Sequence, residues 1–308
     1  MQTILGAGGA ISIPLAKELM SYTDKVRLVA RNPKKVNESD EIFTADLTNK
    51  EQVDKAVSDS EIVYLTAGLE YKIKVWRRDW PLIMQNTIDA CIAHHSKLVF
   101  FDNVYAYAPE EIPHMTEESR IAPVSEKGKV RSQLLKMIFD AIKTKGLTAL
   151  VARSADFYGP NVKTGFLNLL VIDKLKNNKK AMWQANVNRI HSFTYTTEAA
   201  KAVALLGNTP DAYNQTWHLP TSSEKWTGKD FINHIAELTH AQPRHFLLSK
   251  TMIGIMSLFS PMMKELKEMQ YQNDQDYFFD SSKFEKRFSF TPTRYKEGIV
   301  ESTREEKG

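Results

Sequence analysis

The chain has 308 residues, 42% of them hydrophobic and 25% charged, with a formal net charge of only +4. That balance predicts a globular protein with one large α/β domain and a smaller appended region, and so small a charge, spread along the chain, argues against nucleic acid as a partner. No apolar run approaches the roughly 20 residues that span a bilayer, and a lone Cys91 excludes an internal disulfide or a thiolate metal cluster, so no membrane association is expected and the cytosol is the expected compartment.

The chain opens on a strand, without a basic region, apolar core and cleavage site in succession, so no leader is expected. Gln2–Leu5 reads as a buried strand, and Gly6-Ala7-Gly8-Gly9-Ala10-Ile11-Ser12 as a glycine turn opening a helix over 13–20. Glycines serve such a reversal in two ways. They accept backbone angles that side chains resist, and they let a dinucleotide pyrophosphate approach the backbone and the positive end of the helix. Gly6, Gly8, Gly9, Ala10 and Ile11 are therefore candidate cofactor-binding residues; a tight turn without ligand is the alternative. Ser12 replaces the third glycine of the usual fingerprint, which predicts a slightly looser helix–strand contact. Ile11, Leu15 and Leu19 recur at helical spacing and mark the face laid on the sheet.

The second strand, 25–30, ends in Arg31-Asn32-Pro33-Lys34-Lys35. An NAD site usually places an acid near this point for the ribose hydroxyls; Ala30 and Arg31 stand there instead. A guanidinium forks onto a 2′-phosphate and stacks on adenine, so Arg31 favours NADP(H), with NAD(H) still possible and a solvated loop arginine as the alternative. The third strand, 41–45, runs into Asp46-Leu47, where Asp46 either accepts from the adenine amine or caps a loop. Thr48 and Glu51 have capping-box spacing for the next helix. A fourth strand, 61–65, is followed by Thr66-Ala67-Gly68-Leu69; Ala67 and Gly68 are small enough for a ribose–phosphate to lie against the backbone. In the long helix 76–94, Trp76, Trp80, Met84, Ile88 and Cys91 form a core or interface stripe, while Asn86 lies off it, placed to bridge backbone groups. Cys91 is read as a packed residue, not a nucleophile. His94 and His95 have no metal-ligand partners at useful spacing.

A very apolar fifth strand, 97–101, runs into Asp102-Asn103-Val104-Tyr105, polar residues at the carboxyl end of a central strand, where an open α/β sheet binds its ligand. The helix beginning near Glu126 carries Lys127, Lys129 and Arg131 early, which the helix dipole disfavours; a ligand role or a solvated face would account for them. A sixth strand, 146–152, ends in Arg153-Ser154-Ala155-Asp156-Phe157-Tyr158-Gly159-Pro160. Strands alternating with helices predict a Rossmann-like doubly wound parallel sheet over 1–160. Residues 161–308 are read as mostly a smaller mixed substrate-binding region, with 188–220 returning to the core. Within it, helices are expected over 166–176 and 196–206, strands at 180–183, 216–220 and 246–248, and a helix from the Thr227–Asp230 cap to 239. The Met- and Phe-rich segment 252–269 is read as buried core, with a pocket wall or dimer surface as alternatives. The tail from 294 is read as helical, then fraying. Trp183, His191, Trp217, His218 and Trp226 would stack a sugar or line an apolar pocket.

Together, Gly6 to Ile11, Arg31-Asn-Pro, Ala45-Asp46-Leu47, Thr66-Ala67-Gly68, Val99 to Tyr105 and Arg153 to Pro160 resemble the short-chain dehydrogenase/reductase superfamily. Its extended and atypical branch, the NAD(P)-dependent epimerase/dehydratase-like proteins, is the best match, over roughly residues 1–220. The resemblance implies a cofactor site that includes Asp46, Leu47, Ser154 and Ala155 besides the turn, a small carbonyl, hydroxyl or sugar-nucleotide substrate, and a possible homodimer through the helices near 76–94 and 127–145. It also implies a Tyr acid or base, a Lys four residues later that favours its phenolate, and a Ser or Thr after the fifth strand. Here Asn103 takes the Ser/Thr position, and Lys127 and Arg131 take those of the Tyr and Lys. Asn103 can hydrogen-bond a carbonyl and Arg131 can hold the nicotinamide ribose, but neither is a phenol. Tyr105 is the first candidate for a substituted acid, with Lys127 and Tyr158 as alternatives. Two readings compete: hydride transfer that needs only proximity and a polarising cation such as Lys127, with water supplying the proton, and a catalytically silent sensor resembling NmrA-like proteins.

Overall fold

Runs of four to six mainly aliphatic residues, bounded by turn residues, are too short for stable helices and suit strands buried on both faces of a parallel sheet. The computed structural model, which describes residues 1–163 and 165–304, forms them into β1 (Gln2–Leu5), β2 (Val26–Ala30), β3 (Glu41–Thr44), β4 (Ile62–Leu65), β5 (Lys97–Asp102) and β6 (Ala149–Arg153). A seventh strand, Thr216–His218, joins them. The sheet runs Thr216–His218, β6, β5, β4, β1, β2, β3, with every pairing parallel. From β1 the chain moves outward through β2 to β3, then returns to β4 on the other side of β1. This reversal opens a crevice beyond the strands' carboxyl ends, between β1 and β4. Leu5 is in register with Val29 on one side and Leu65 on the other, so the glycine turn, the Arg31 turn and the Thr66 turn leave the sheet at one level.

Helices α1 (Ser12–Leu19), α2 (Lys50–Val57), α3 (Ile73–Ala93) and α4 (Glu126–Lys145) supply the crossovers. The predicted stripe of α3 is core: Trp76, Trp80, Met84, Ile88 and Cys91 are buried together with Leu134, Leu135 and Ile138 of α4. Burial pushes the Cys91 thiol far up, which leaves it inert. Asn86 bridges as expected, its Nδ2 donating to Leu47 O at 3.1 Å. The cap of α2 falls one residue later than the Thr48 pattern predicts. Asn49 Oδ1 accepts from Gln52 N, because Asp46 captures Thr48, accepting from both its amide (2.9 Å) and its hydroxyl (2.8 Å).

The chain forms two compact units. The first comprises Met1–Ala106, Lys127–Ser154 and Ala199–Leu219 and holds the seven-stranded sheet; the second comprises Tyr107–Glu126, Ala155–Glu198 and the described residues from Pro220 on. In the second, Ala181–Gln184 pairs with His245–Leu248 and Asp156–Tyr158 with Phe193–Tyr195, both in parallel. Its core is aromatic: Tyr158, Trp183, Phe193, Phe231 and Tyr295 are all buried. The helix Gly228–Leu238 starts with the predicted Thr227–Asp230 capping box, and Gly228 is required there because a Cβ would stand 2.3 Å from the Trp183 ring. The helix expected over 166–176 contains a π segment, Asn168–Ile172.

Two expectations fail in the same way, by mistaking which face is buried. The segment 252–269 is not a buried helix. It breaks into Lys250–Met256 and Pro261–Lys267, capped by Ser249 and Ser260, and Leu258 and Phe259 between them are 76% and 84% exposed. Proline at the first helical position and serine before it enforce the break. Conversely, Trp183, His191, Trp217 and His218 present no face to a ligand, being no more than 4% exposed. His191 is stacked on Tyr277, and Trp217 Nε1 donates to Ala212 O. The tail is helical over Tyr295–Thr303; the fraying end, 305–308, lies outside the described residues.

Candidate functional site

The glycine turn is shaped by contact on one side and openness on the other. Gly6 and Gly8 both have positive φ, +94° and +98°. A Cβ on Gly6 would fall 2.3 Å from Ala67 Cα, so the β1 and β4 turns touch there, and only glycine permits it. A Cβ on Gly8 or on Gly68 would meet nothing within 4 Å, leaving bare backbone facing open space. The Gly6 and Ala7 amides donate to Val29 O. Ser12 closes the turn: its Oγ accepts from Gly9 N at 2.7 Å and returns a hydrogen bond to Gly9 O at 3.2 Å. The residue replacing the third glycine therefore holds one turn amide within the chain. Ala10 is half-buried and Ile11 is in the core.

Arg31 is exposed just past β2. Its field reaches Asp46 and Asp79, both held below the ordinary carboxylate range. For Asp46 the main cause is the Thr48 amide, then the Thr48 hydroxyl; for Asp79 it is the neighbouring Arg78. Asp46 is itself exposed and Leu47 buried. Lys35 donates to Glu38 O within its own loop.

Beyond β5, Asn103 Oδ1 accepts from Tyr105 N at 3.0 Å, a local turn that swings the Tyr105 ring parallel to Trp76, with centroids 6.2 Å apart. The Tyr105 hydroxyl lies 3.5 Å from that of Tyr71, and Trp76 meets Tyr71 edge-on. Lys127 is fully buried, its Nζ 4.3 Å from the centre of the Tyr71 ring. Of Lys127, Lys129 and Arg131, Lys129 is the one that is exposed. Arg131 is also buried: Nε donates to Asp102 Oδ1 at 2.8 Å, and the guanidinium lies 4.8 Å from the Trp80 ring centre and 4.7 Å from that of Phe100. Arg153 takes the other oxygen, with Nε 3.0 Å from Asp102 Oδ2. One buried carboxylate thus joins two buried guanidinium groups, one of them Arg131, the residue that the sequence reading gives the nicotinamide ribose. The indole N–H groups of Trp76 and Trp80 are buried without a hydrogen-bond partner among the described residues.

The remaining expected positions are elsewhere. Ser154 is buried, its amide donating to Asp102 O. In the second unit, the Ala155 amide donates to Thr194 Oγ1. Tyr158, an alternative acid from sequence, sits in the aromatic core of that unit. Its hydroxyl has no partner among the described residues, and burial pushes its phenol well above the ordinary range. Among the described residues no group of His, Cys, Asp or Glu is placed to hold a metal ion. Sequence reasoning missed Tyr71, the Asp102 pairs and the closeness of Lys127 to a phenol. The available signal was the position of Tyr71, just past the small residues that leave the carboxyl end of β4.

A glycine turn at the switch point of a parallel doubly wound sheet, with open backbone on the facing strand end, defines a Rossmann-type dinucleotide-binding protein. The model of the NAD dependent epimerase/dehydratase family matches residues 3–218, and the chain belongs to that family. No curated protein matches the chain. Among solved structures, UDP-glucose 4-epimerase from Thermus thermophilus, in complex with NAD, is similar at 16% identity and a TM-score of 0.77, covering 98% of both chains. UDP-N-acetylglucosamine 4-epimerase from Bacillus cereus is 18% identical, with a TM-score of 0.75, covering 98% of this chain and 94% of that one. UDP-glucose 4-epimerase from Thermotoga maritima, with UDP-glucose, is 14% identical, with a TM-score of 0.78, covering 98% and 97%. At these identities the likeness is one of fold.

Proposed function

We propose that this chain is an NAD(P)-dependent oxidoreductase or epimerase acting on a sugar nucleotide or another small carbonyl or hydroxyl compound, with NADP(H) the preferred cofactor. The observation that carries the reading is the open backbone at the switch point, where Gly8 and Gly68 face space that a Cβ would otherwise occupy. Gly6, Gly8, Gly9, Ala10 and Ile11 would cradle the pyrophosphate at the start of α1, Ala67 and Gly68 the adjoining ribose, and Asp46 and Leu47 the adenine. Arg31 would meet the 2′-phosphate. A nicotinamide dinucleotide, when bound, supplies two-electron oxidation and reduction. The chain must supply the proton, and Tyr105 is the phenol at the carboxyl end of β5, with Asn103 beside it to orient a substrate oxygen and Ser154 close by in the chain fold. Lys127 supplies positive charge that favours an oxyanion.

Two observations favour a second reading, a cofactor-binding sensor without turnover: Lys127 stands where the family's Tyr is expected, and Asp102 holds the Arg131 guanidinium. Calorimetric titration with NADPH and NADH, for the wild type and for Arg31→Asp, tests the cofactor assignment. The wild type should bind NADPH more tightly. Arg31→Asp should lose about ten- to a hundredfold for NADPH, the worth of a charged hydrogen bond, and little for NADH. Equal loss of both removes the 2′-phosphate role. Turnover of a panel of carbonyls and sugar nucleotides separates enzyme from sensor.

A further inference from the structure

The sequence separates the parts of a Tyr–Lys acid–base couple that the family keeps on one helix turn; the fold brings other residues of the same chemistry together. We propose that Tyr71 is a proton-relay residue, positioned by Lys127 to resupply the acid Tyr105, so that the two phenols and the ammonium replace the missing Tyr-x-x-x-Lys pair. This rests on the oxidoreductase reading above and adds to it a residue from a different strand end.

Three observations carry it. The two hydroxyls are 3.5 Å apart, a long hydrogen bond that a small shift on ligand binding would tighten. Lys127 Nζ lies 4.3 Å from the Tyr71 ring centre, and a phenolate spreads its charge into the ring, so the ammonium favours the ionised form. Trp76, in ring contact with both tyrosines, has a buried indole N–H without a partner among the described residues, and a buried donor is costly to leave unsatisfied unless an acceptor arrives. An oxygen-bearing substrate beside Tyr105 would bring one.

The relay moves one proton. Tyr105 gives its phenol proton to the substrate oxygen, Tyr71 passes its own to Tyr105, and the Tyr71 phenolate left beside Lys127 takes a proton from water. In the oxidative direction each transfer reverses. Charged groups near the couple include Lys127 of α4, Arg131 one turn further along α4 with its partner Asp102 at the end of β5, and Glu70 and Lys72, which flank Tyr71 and pair with each other. Lys127 is in ring contact with Tyr71.

Ultraviolet difference titration near 295 nm tests this without any turnover. The buried phenols of Tyr64, Tyr158, Tyr213 and Tyr295 are all pushed up by burial and stay silent below pH 10. Wild type minus Tyr71→Phe should show one phenol ionising below the ordinary range, and Lys127→Met should move it back up. With a substrate in hand, Tyr71→Phe should lower kcat about ten- to a hundredfold, shift the pH profile and leave cofactor affinity within about twofold. Tyr71→Phe removes only a hydroxyl, and cofactor binding reports that the variant is folded. No low-titrating phenol, or one unchanged in Lys127→Met, overturns the proposal. So does an unaltered pH profile in Tyr71→Phe when Tyr105→Phe abolishes turnover, an outcome that leaves the oxidoreductase reading intact. Absence of any turnover in the wild type refutes that reading instead, while the titration still decides whether Lys127 tunes Tyr71.

Discussion

Gly6 and Gly8 lie two residues apart with nearly the same φ, yet the structure assigns them different work, and alanine at each separates the two. At Gly6 the new methyl would meet Ala67 Cα at 2.3 Å while the backbone is held at +94°. Conformational strain of about 1–3 kcal/mol adds to overpacking of about 1–3 kcal/mol, so Gly6→Ala should destabilise the first unit by about 2–6 kcal/mol. At Gly8 the backbone strain is similar but the methyl meets nothing. Gly8→Ala should therefore lose only about 1–3 kcal/mol. Its methyl instead projects where a pyrophosphate would lie, and cofactor affinity should fall more than tenfold, or about 1.4 kcal/mol. Urea unfolding of both variants, paired with calorimetric cofactor titration, gives the two readouts. Equal destabilisation would refute the close approach of the β1 and β4 turns. A stable Gly8→Ala that binds cofactor as the wild type does would refute the use of that open face.

Two further perturbations address the buried charges and the sheet edge. Asp102→Asn takes the shared carboxylate from two buried guanidinium groups, so it should cost about 3–5 kcal/mol in urea unfolding, whereas Asp46→Asn, at an exposed turn, should change stability by under about 1 kcal/mol; similar small effects would show that Asp102 is not a structural keystone. Glu41 at the β2–β3 edge is held below the ordinary carboxylate range, chiefly by its hydrogen bond from Lys25, with burial opposing and Arg27 adding to the lowering. A depressed folded-state value means stability that is present above the unfolded carboxyl value of roughly 4.3 and lost as pH falls through the folded one. The stability gap between wild type and Glu41→Gln should therefore be widest near neutral pH and close below about pH 4; a gap independent of pH would remove the ion pair as its cause.

The sheet is legible in the sequence because its signals are local. Short aliphatic runs between glycine, proline and asparagine turns, alternating with helical patterns, suit buried parallel strands, and a glycine turn that follows the first run and precedes a periodic helix can be placed without knowing what lies opposite. Capping is legible for the same reason at Thr227 and Asp230, and misses by one residue at Asn49 only because Asp46 competes for Thr48. Burial is less legible. Apolar periodicity says that a segment has a face, not what covers it, so it assigns Leu258 and Phe259 to the core and leaves Trp183 and His191 to a ligand, the reverse of what the fold does with them. The candidate site is the least legible. Asn103 and Tyr105 can be picked out at a strand end, but Tyr71 meets Lys127 and Tyr105, and Arg131 meets Asp102, only because β4, β5 and α4 are laid side by side. Whether a lysine is a solvated helix residue or a buried cation against a phenol is a question of what the folded chain places beside it. Contacts between residues dozens of positions apart leave no period or spacing in a single sequence; the packing of the sheet alone decides them.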